Sequence, residues 1–444
     1  MIKCIVLITS FLVMAFPNSV TAAVIQKSND GLCVIEIVGE IKQGDFQSFV
    51  NESKRLFPGH DGESSRRDIV CLNSHGGSLA EGVLFSRYFT KNGVATVIRA
   101  DEDCYSICAV MFMMGSVTGE GEVSTGISRK LHVKGTLGFH RPYLPINADF
   151  NINVRALTII YNEGFNSAVD LIALANQLST WSHEPRMKPD LVEKMLSHVG
   201  NDFFVIDNVD KAGRWDITLF GFEPPKMSLI ERAFYSCENT LQWKVGTTNS
   251  NTALEFLLLN RRRHFFKTET TPQGDKVISI RGLDTGYVEE WCLMREQKEF
   301  LAGCGVDQNT SVSMGSNECN LNTSIEHYEY VSDLSQISAW TTLKQLALMS
   351  ENSLPPFQPA KCYVLEGENT ADEEVCFAIL NRELFPSVTS VDFTWPSGAK
   401  TNIEVSGNNE YINGNRAESK HKEGFSQCFD NSATGKTFCY KAAM

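Results

Sequence analysis

The chain has 444 residues, 42% of them hydrophobic and 21% charged, with a formal net charge of −13. That balance belongs to an ordinary folded protein and excludes collagen-like, disordered and coiled-coil descriptions of the whole chain. The excess of carboxylates repels phosphate backbones, so nucleic acid is not an expected partner.

The opening MIKCIVLITSFLVMAFPNSVTAA places Lys3 before an apolar run from Cys4 to Phe16, a breaker at Pro17 and small residues at Ala22 and Ala23. This is the order of regions in a secretory signal peptide, assigned to residues 1–23. The apolar run is too short to span a bilayer comfortably, and no later stretch is long enough, so a periplasmic protein with no stable membrane insertion is expected. Thirteen cysteines less Cys4 leave twelve for the exported chain, an even number that predicts disulfides in an oxidising compartment. No CxxC pair occurs and the spacings are irregular, so neither a metal site nor a cofactor is expected.

Residues 24–223 alternate short apolar runs with helical stretches, the pattern of parallel β-α-β units in an α/β domain. Leu32–Ile41 reads as a first strand and Asp68–Ser74 as a second, followed by a turn at Gly76 and Gly77. A helix follows with Leu79, Val83, Leu84, Tyr88 and Phe89 mostly on one face, ending at Gly93. Val94–Ala100 reads as a third strand, and a short apolar helix is predicted to start near Ser106 and run to Gly115. After a polar, Gly-rich connection, Leu137–His140 reads as a fourth strand, with two helical stretches between about 152 and 198.

Pro224 and Pro225 mark a boundary, and residues 224–354 form a middle region of mixed signals and no assigned fold, with a basic cluster at Arg261, Arg262 and Arg263 that reads as a solvated or ion-paired patch. Pro355, Pro356 and Pro359 introduce residues 355–444, where alternating apolar and polar positions and turn residues at Pro396, Ser397, Gly398, Asn413 and Gly414 predict a small all-β module. Cys362 with Cys376, and Cys428 with Cys439, are spaced for disulfides across hairpins; Cys33 and Cys71 lie in strands expected to be neighbours.

The chemistry concentrates in LNSHGGSLAEG, CYSICAVMFMMG and LGFHRP. A strand that ends in a Gly-Gly turn exposes backbone N–H groups with no Cβ in the way, as an oxyanion hole requires. Ser106 falls between a strand and an apolar helix, where the helix N-terminus favours developing negative charge. Serine is also among the best helix caps, which is the bland account of the same position.

These segments resemble the Clp protease proteolytic subunit and its relatives in the ClpP/crotonase superfamily, including periplasmic ClpP-like proteins and signal peptide peptidases, over about residues 30–222. The resemblance implies a ClpP/crotonase-like β-α-β spiral domain, a peptide or protein substrate, and a homo-oligomer. It places Ser106 as nucleophile, His140 as general base, and the Gly77 and Ile107 amides as the oxyanion hole. The third member falls on Asp202, in VGNDFFVIDNVDKAG, with Asp190, Asp207 and Asp210 as competitors. His75 stands where the family usually has proline, and the bulky Tyr105 and Ile107 flank the serine. Cys104 and Cys108 bracket it, either bonded to each other with Cys104 ahead of the helix, or bonded elsewhere. Two functions are expected from this pattern: a periplasmic serine peptidase or hydrolase, or a catalytically inactive ClpP-like scaffold that binds partners in the cell envelope.

Overall fold

The computed structural model describes residues 22–57, 68–118, 125–142, 154–180, 182–224, 227, 229–246, 266–272, 274–281, 290–297, 300–307, 312–316, 319–352, 358–367, 369–381, 388–395, 399–406 and 409–442. The leader up to residue 21, the Arg261–Arg263 cluster and Pro396–Gly398 lie outside the described residues.

The first region runs β1 (Val24–Lys27), β2 (Ile35–Val38), α1 (Asp45–Leu56), β3 (Ile69–Asn73), α2 (Leu79–Asn92), β4 (Ala95–Ile98), β5 (Asp103–Tyr105), α3 (Ile107–Met113), β6 (Ser116–Thr118), β7 (Thr125–Ile127), β8 (Arg129–His132), β9 (Thr136–Phe139), α4 (Val154–Ala175), α5 (Pro189–Ser197), β10 (Phe204–Val205), α6 (Val209–Arg214) and β11 (Thr218–Phe220). A six-stranded sheet is ordered β1-β2-β3-β4-β8-β11, parallel except for β1, and a second sheet of three strands is ordered β10-β9-β5. The inner strands are apolar because both faces are covered: Ile35, Ile37, Val70, Leu72 and Ile98 are buried. Helix α2 starts on Ser78, whose side chain accepts from the Glu81 amide, and ends at Gly93 with φ 65°.

Three readings need correction. The connection before LGFH contains a strand, β8, whose RKLH sequence is too polar to read as a central strand yet joins β4 and β11 in parallel. LGFH falls on a strand as read, β9, and it lies not in the main sheet but in the middle of the small one, between β5 and β10. On α2 the buried face is Val83, Phe85 and Phe89, whereas Leu84 is 40% exposed; Phe85 lies on the helix side that meets Phe46 and Phe49 of α1.

In the middle region, strands Phe266–Thr270, Lys276–Arg281, Glu290–Gln297, Phe300–Asp307 and Val312–Met314 form an antiparallel sheet, and Glu329–Tyr330 pairs with the fourth. Helix α7 (Leu229–Val245) packs on it through Phe234, Cys237 and Leu241 against Ile278, Ile280 and Met294. This region is not closed off from the first. Ile337, Leu343 and Leu346 sit in the first region's core, and the Val209 and Asp210 amides donate to Thr341 and Ala339 carbonyls at 2.9 and 2.8 Å. Proline clusters report where a chain turns; they carry no information about a later segment returning to an earlier core.

Eight strands between Gln358 and Ala442 pair antiparallel, each with the next, and the first with the last, so the C-terminal sheet closes into a barrel. Closure removes the unpaired edges a sheet would otherwise expose. Phe393, Phe429, Phe438, Trp395 and Tyr440 fill its interior.

Six disulfides join Cys33–Cys71, Cys104–Cys108, Cys237–Cys292, Cys304–Cys319, Cys362–Cys376 and Cys428–Cys439, a complement that fits an oxidising compartment. Among the described residues, no helix is long and apolar enough to cross a membrane. The Cys33–Cys71 bond closes a separation of 38 residues. Replacing both cysteines by alanine is expected to lower unfolding free energy by about 3 kcal/mol, read from the urea midpoint; an unchanged midpoint contradicts this.

Candidate active site

Ser106 occupies the single residue between β5 and α3, with φ 59° and ψ −129°, a left-handed conformation that non-glycine residues adopt at a cost of about 1–3 kcal/mol. Its surroundings hold it there. The Tyr105 amide donates to the Ser74 carbonyl at 3.0 Å, the Ser106 amide to the Gly138 carbonyl at 3.1 Å, and the Ser106 carbonyl accepts from the Ala109 and Val110 amides. Every residue of α3, ICAVMFM, is buried, so the helix that begins at Ile107 has no freedom to slide. The hydroxyl does not cap the helix and carries no hydrogen bond among the described residues. The bland account of Ser106 as a cap therefore fails, and the side chain is left half-buried, turned toward the glycine turn.

That turn is shaped for close approach. Gly76 and Gly77 have φ of 100° and 138°. A Cβ on Gly76 would lie 2.6 Å from the Ser106 Cβ, and one on Gly77 would collide with the Ile41 backbone. The Gly76 amide is used internally by the Ser74 hydroxyl at 3.1 Å, while its carbonyl accepts from the Ile41 amide. The amides of Gly77 and Ile107 donate to no group among the described residues; Ile107 opens α3, where the first N–H groups of any helix lack an internal acceptor. These two donors flank Ser106 from different segments.

His140 follows β9, which runs parallel to β5 with Gly138 opposite Tyr105, so the imidazole and the serine leave adjacent strands at the same end. It is 6% exposed, and Nδ1 lies 2.7 Å from the Gly200 carbonyl. A carbonyl only accepts, so Nδ1 carries the proton and Nε2 is the basic nitrogen. Burial lowers the His140 pKa below its ordinary value, and the bond to Gly200 opposes that shift. The ring packs at a tilt on Phe203 with centroids 4.7 Å apart, Phe203 packs likewise on Tyr105 at 4.7 Å, and Tyr105 meets exposed His75 edge-on at 5.6 Å. A row of four rings thus borders the serine. No hydrogen bond joins the Ser106 hydroxyl to His140.

The structure gives the His140 Nδ1 a partner other than Asp202. Asp202 is exposed, and its carboxylate makes no ion pair or hydrogen bond among the described residues; the Gly200 carbonyl, two residues earlier, holds the imidazole instead. The competing carboxylates are employed elsewhere: Asp190 accepts from Trp215 Nε1, Asp207 pairs with Lys211, and Asp210 pairs with Arg214 while accepting from Trp243 Nε1. Gly200 itself has φ 66°, and the Arg141 amide donates to the His198 carbonyl, pinning the 198–202 turn beside His140. Sequence reasoning missed Gly200 because a backbone acceptor has no side-chain signature; the turn residues of VGND were the only trace. Ser74, which ties down the Gly76 amide, was missed for want of any spacing rule.

Cys104 and Cys108 are bonded to each other across the serine, with Cys104 in β5 ahead of the helix. Among the described residues, no group of three His, Cys, Asp or Glu side chains is placed to hold a metal ion. Comparison with protein-family models gives no match to this chain, and comparison with curated proteins gives none either.

Two outcomes are expected. Gly76→Ala forces a side chain against Ser106 and should slow any reaction of the Ser106 hydroxyl by at least about tenfold, the rate equivalent of 1.4 kcal/mol, read as the rate of labelling by a fluorophosphonate. Because burial lowers the His140 pKa, its native form binds fewer protons than the unfolded chain, so this contribution to stability is complete above pH 6.5 and lost as pH falls through and below it. The same shift puts the inflection of a His140-dependent rate below pH 6.5, with a plateau by neutrality; an inflection above that value contradicts it.

Proposed function

We propose that the chain is an exported serine hydrolase, in particular a peptidase of the ClpP/crotonase superfamily, working in the periplasm. The observation that carries this reading is Ser106 itself: a non-glycine residue at φ 59° whose hydroxyl is spared from capping at the head of a helix. Such a sharp strand-to-helix turn is how hydrolases present a nucleophile. In the reaction, His140 Nε2 takes the Ser106 proton as Oγ attacks a carbonyl carbon. The Gly77 and Ile107 amides receive the oxyanion, the leaving amine takes the proton from His140, and water then releases the acyl group by the reverse sequence. The Gly200 carbonyl keeps the imidazole in the required tautomer. It carries no full charge, so it stabilises the imidazolium less than a carboxylate would. The leader and six disulfides support an exported, oxidising setting.

A second reading, a catalytically inactive scaffold of the cell envelope, is favoured by the missing hydrogen bond between Ser106 and His140 and by the exposure of Asp202. Unliganded sites often hold such pairs loosely, closing the bond only with substrate. Fluorophosphonate labelling separates the two. The hydrolase predicts an adduct mapped to Ser106 that disappears in Ser106→Ala and falls by about 100-fold or more in His140→Ala. A folded wild-type protein that takes no label supports the scaffold.

A further inference from the structure

We propose that the Cys104–Cys108 disulfide is a positioning device for Ser106, so that the nucleophile adopts its reactive conformation only after this bond is oxidised. The proposal rests on the hydrolase reading for its chemistry, and on the backbone for its geometry.

The bond joins residues four apart with Cα atoms 5.2 Å from each other, and both cysteines are fully buried. A disulfide stabilises a fold chiefly by removing freedom from the unfolded chain, and the gain grows with the length of loop closed. On that account this bond does least of the six: the others span separations of 11 to 55 residues. Its use is local. In a regular helix, side chains four apart stand about 5–6 Å apart at Cβ, farther than the roughly 3.5–4.5 Å a disulfide needs. The bond therefore requires the backbone between its ends to depart from the helix. Cys104 and Tyr105 are extended in β5, and Ser106, the one residue of the five with positive φ, turns the chain from that strand into α3. Cys104 is anchored in β5, bridged to Ser74, and Cys108 lies in the first turn of α3. The bond thus draws the helix start back over the strand end and encloses the serine in a small ring. On this proposal the hydrogen bonds to Gly138, Ala109 and Val110 do not hold positive φ by themselves; with two thiols in place of the bond, Ser106 relaxes to negative φ, which swings its hydroxyl off Gly76 and separates the Ile107 amide from the Gly77 amide.

The chemistry of assembly is thiol–disulfide exchange with an exported disulfide oxidant. One cysteine thiolate attacks the oxidant's disulfide and expels a thiolate. The second cysteine thiolate attacks the mixed disulfide and expels the other. The two cysteines lose two electrons and two protons, and the oxidant leaves as a dithiol. A chain still in a reducing compartment would then carry the serine unarmed.

The test uses the full exported chain. Cys104→Ala/Cys108→Ala is compared with wild type and with Cys33→Ala/Cys71→Ala, which removes a longer-range bond of the same region. Each is measured for thermal midpoint, for fluorophosphonate labelling split into probe affinity and maximal rate, and for the φ of Ser106 by crystallography. We expect the 104/108 variant to label at least 20-fold more slowly at saturating probe, with Ser106 at negative φ and a smaller loss of thermal midpoint than the 33/71 variant, which should label like wild type. Labelling of the 104/108 variant at the wild-type rate, or Ser106 still at positive φ in it, overturns the proposal. Parallel losses of rate and midpoint in both variants would make the bond merely structural and overturn it too. If the double variant does not fold, Cys108→Ala alone breaks the same bond and is judged by the same criteria. If wild type takes no label, the hydrolase reading fails, and the Ser106 φ alone decides the positioning claim.

Discussion

A serine held at φ 59° between a strand and a buried helix is the constraint on which the rest of this site depends. An L-residue does not stay in that conformation unaided, and here several segments over-determine it. Strand β9 accepts its amide, α3 donates to its carbonyl, and Gly76 leaves room for its Cβ. The cost is offset by contacts that form only in the assembled fold. It follows that the glycines of the turn, the apolar sequence of α3 and the register of β5 on β9 are one device.

The end of α3 away from the serine is held as firmly. Arg129 of β8 is fully buried and donates to the carbonyls of Met113, Arg186, Trp215 and Asp216, at 2.5, 2.8, 2.6 and 3.1 Å. Burial pushes its pKa down to about 10, still far above neutrality, so the group remains a cation. A cation at a helix C-terminus complements the dipole, and here it also ties α3 to the segment before α5 and to the one after α6. Helix α3 is thus clamped by a disulfide near its start and a buried guanidinium at its finish. Both keep the Ile107 amide pointed at one place.

The His140 imidazole is oriented by a peptide carbonyl, at the nitrogen where the sequence leads one to expect a carboxylate. Its depressed basicity comes from burial against Phe203, and its tautomer from a peptide carbonyl. Orientation survives this exchange, whereas electrostatic support for a charged imidazole is reduced. The same economy runs through the neighbouring acids, since Asp190, Asp207 and Asp210 are all bound into helix and tryptophan contacts.

Much of this was legible in the residues alone. The parallel β-α-β pattern, the Gly-Gly turn, Ser106 at the head of an apolar helix, and three of the disulfide pairings follow from local periodicity, turn chemistry and spacing, while Cys104–Cys108 was one of two alternatives. Strand β8 was not legible, because Lys130 is exposed and Arg129 points its charge into carbonyls, so neither announces a central strand. Nor was the return of residues 337–347 to the first core, the closure of the C-terminal barrel, or the choice of Gly200 over Asp202 as the partner of His140. Periodicity records which face of an element is buried; it does not record which distant segment buries it. The sequence by itself determined most helices and inner strands of the first region, the cysteine count and the placement of Ser106 between a strand and an apolar helix, because those depend on neighbours within a few positions. Only the tertiary structure decided the sign of φ at Ser106 and the acceptor for His140, because both are set by backbone groups brought from remote parts of the chain.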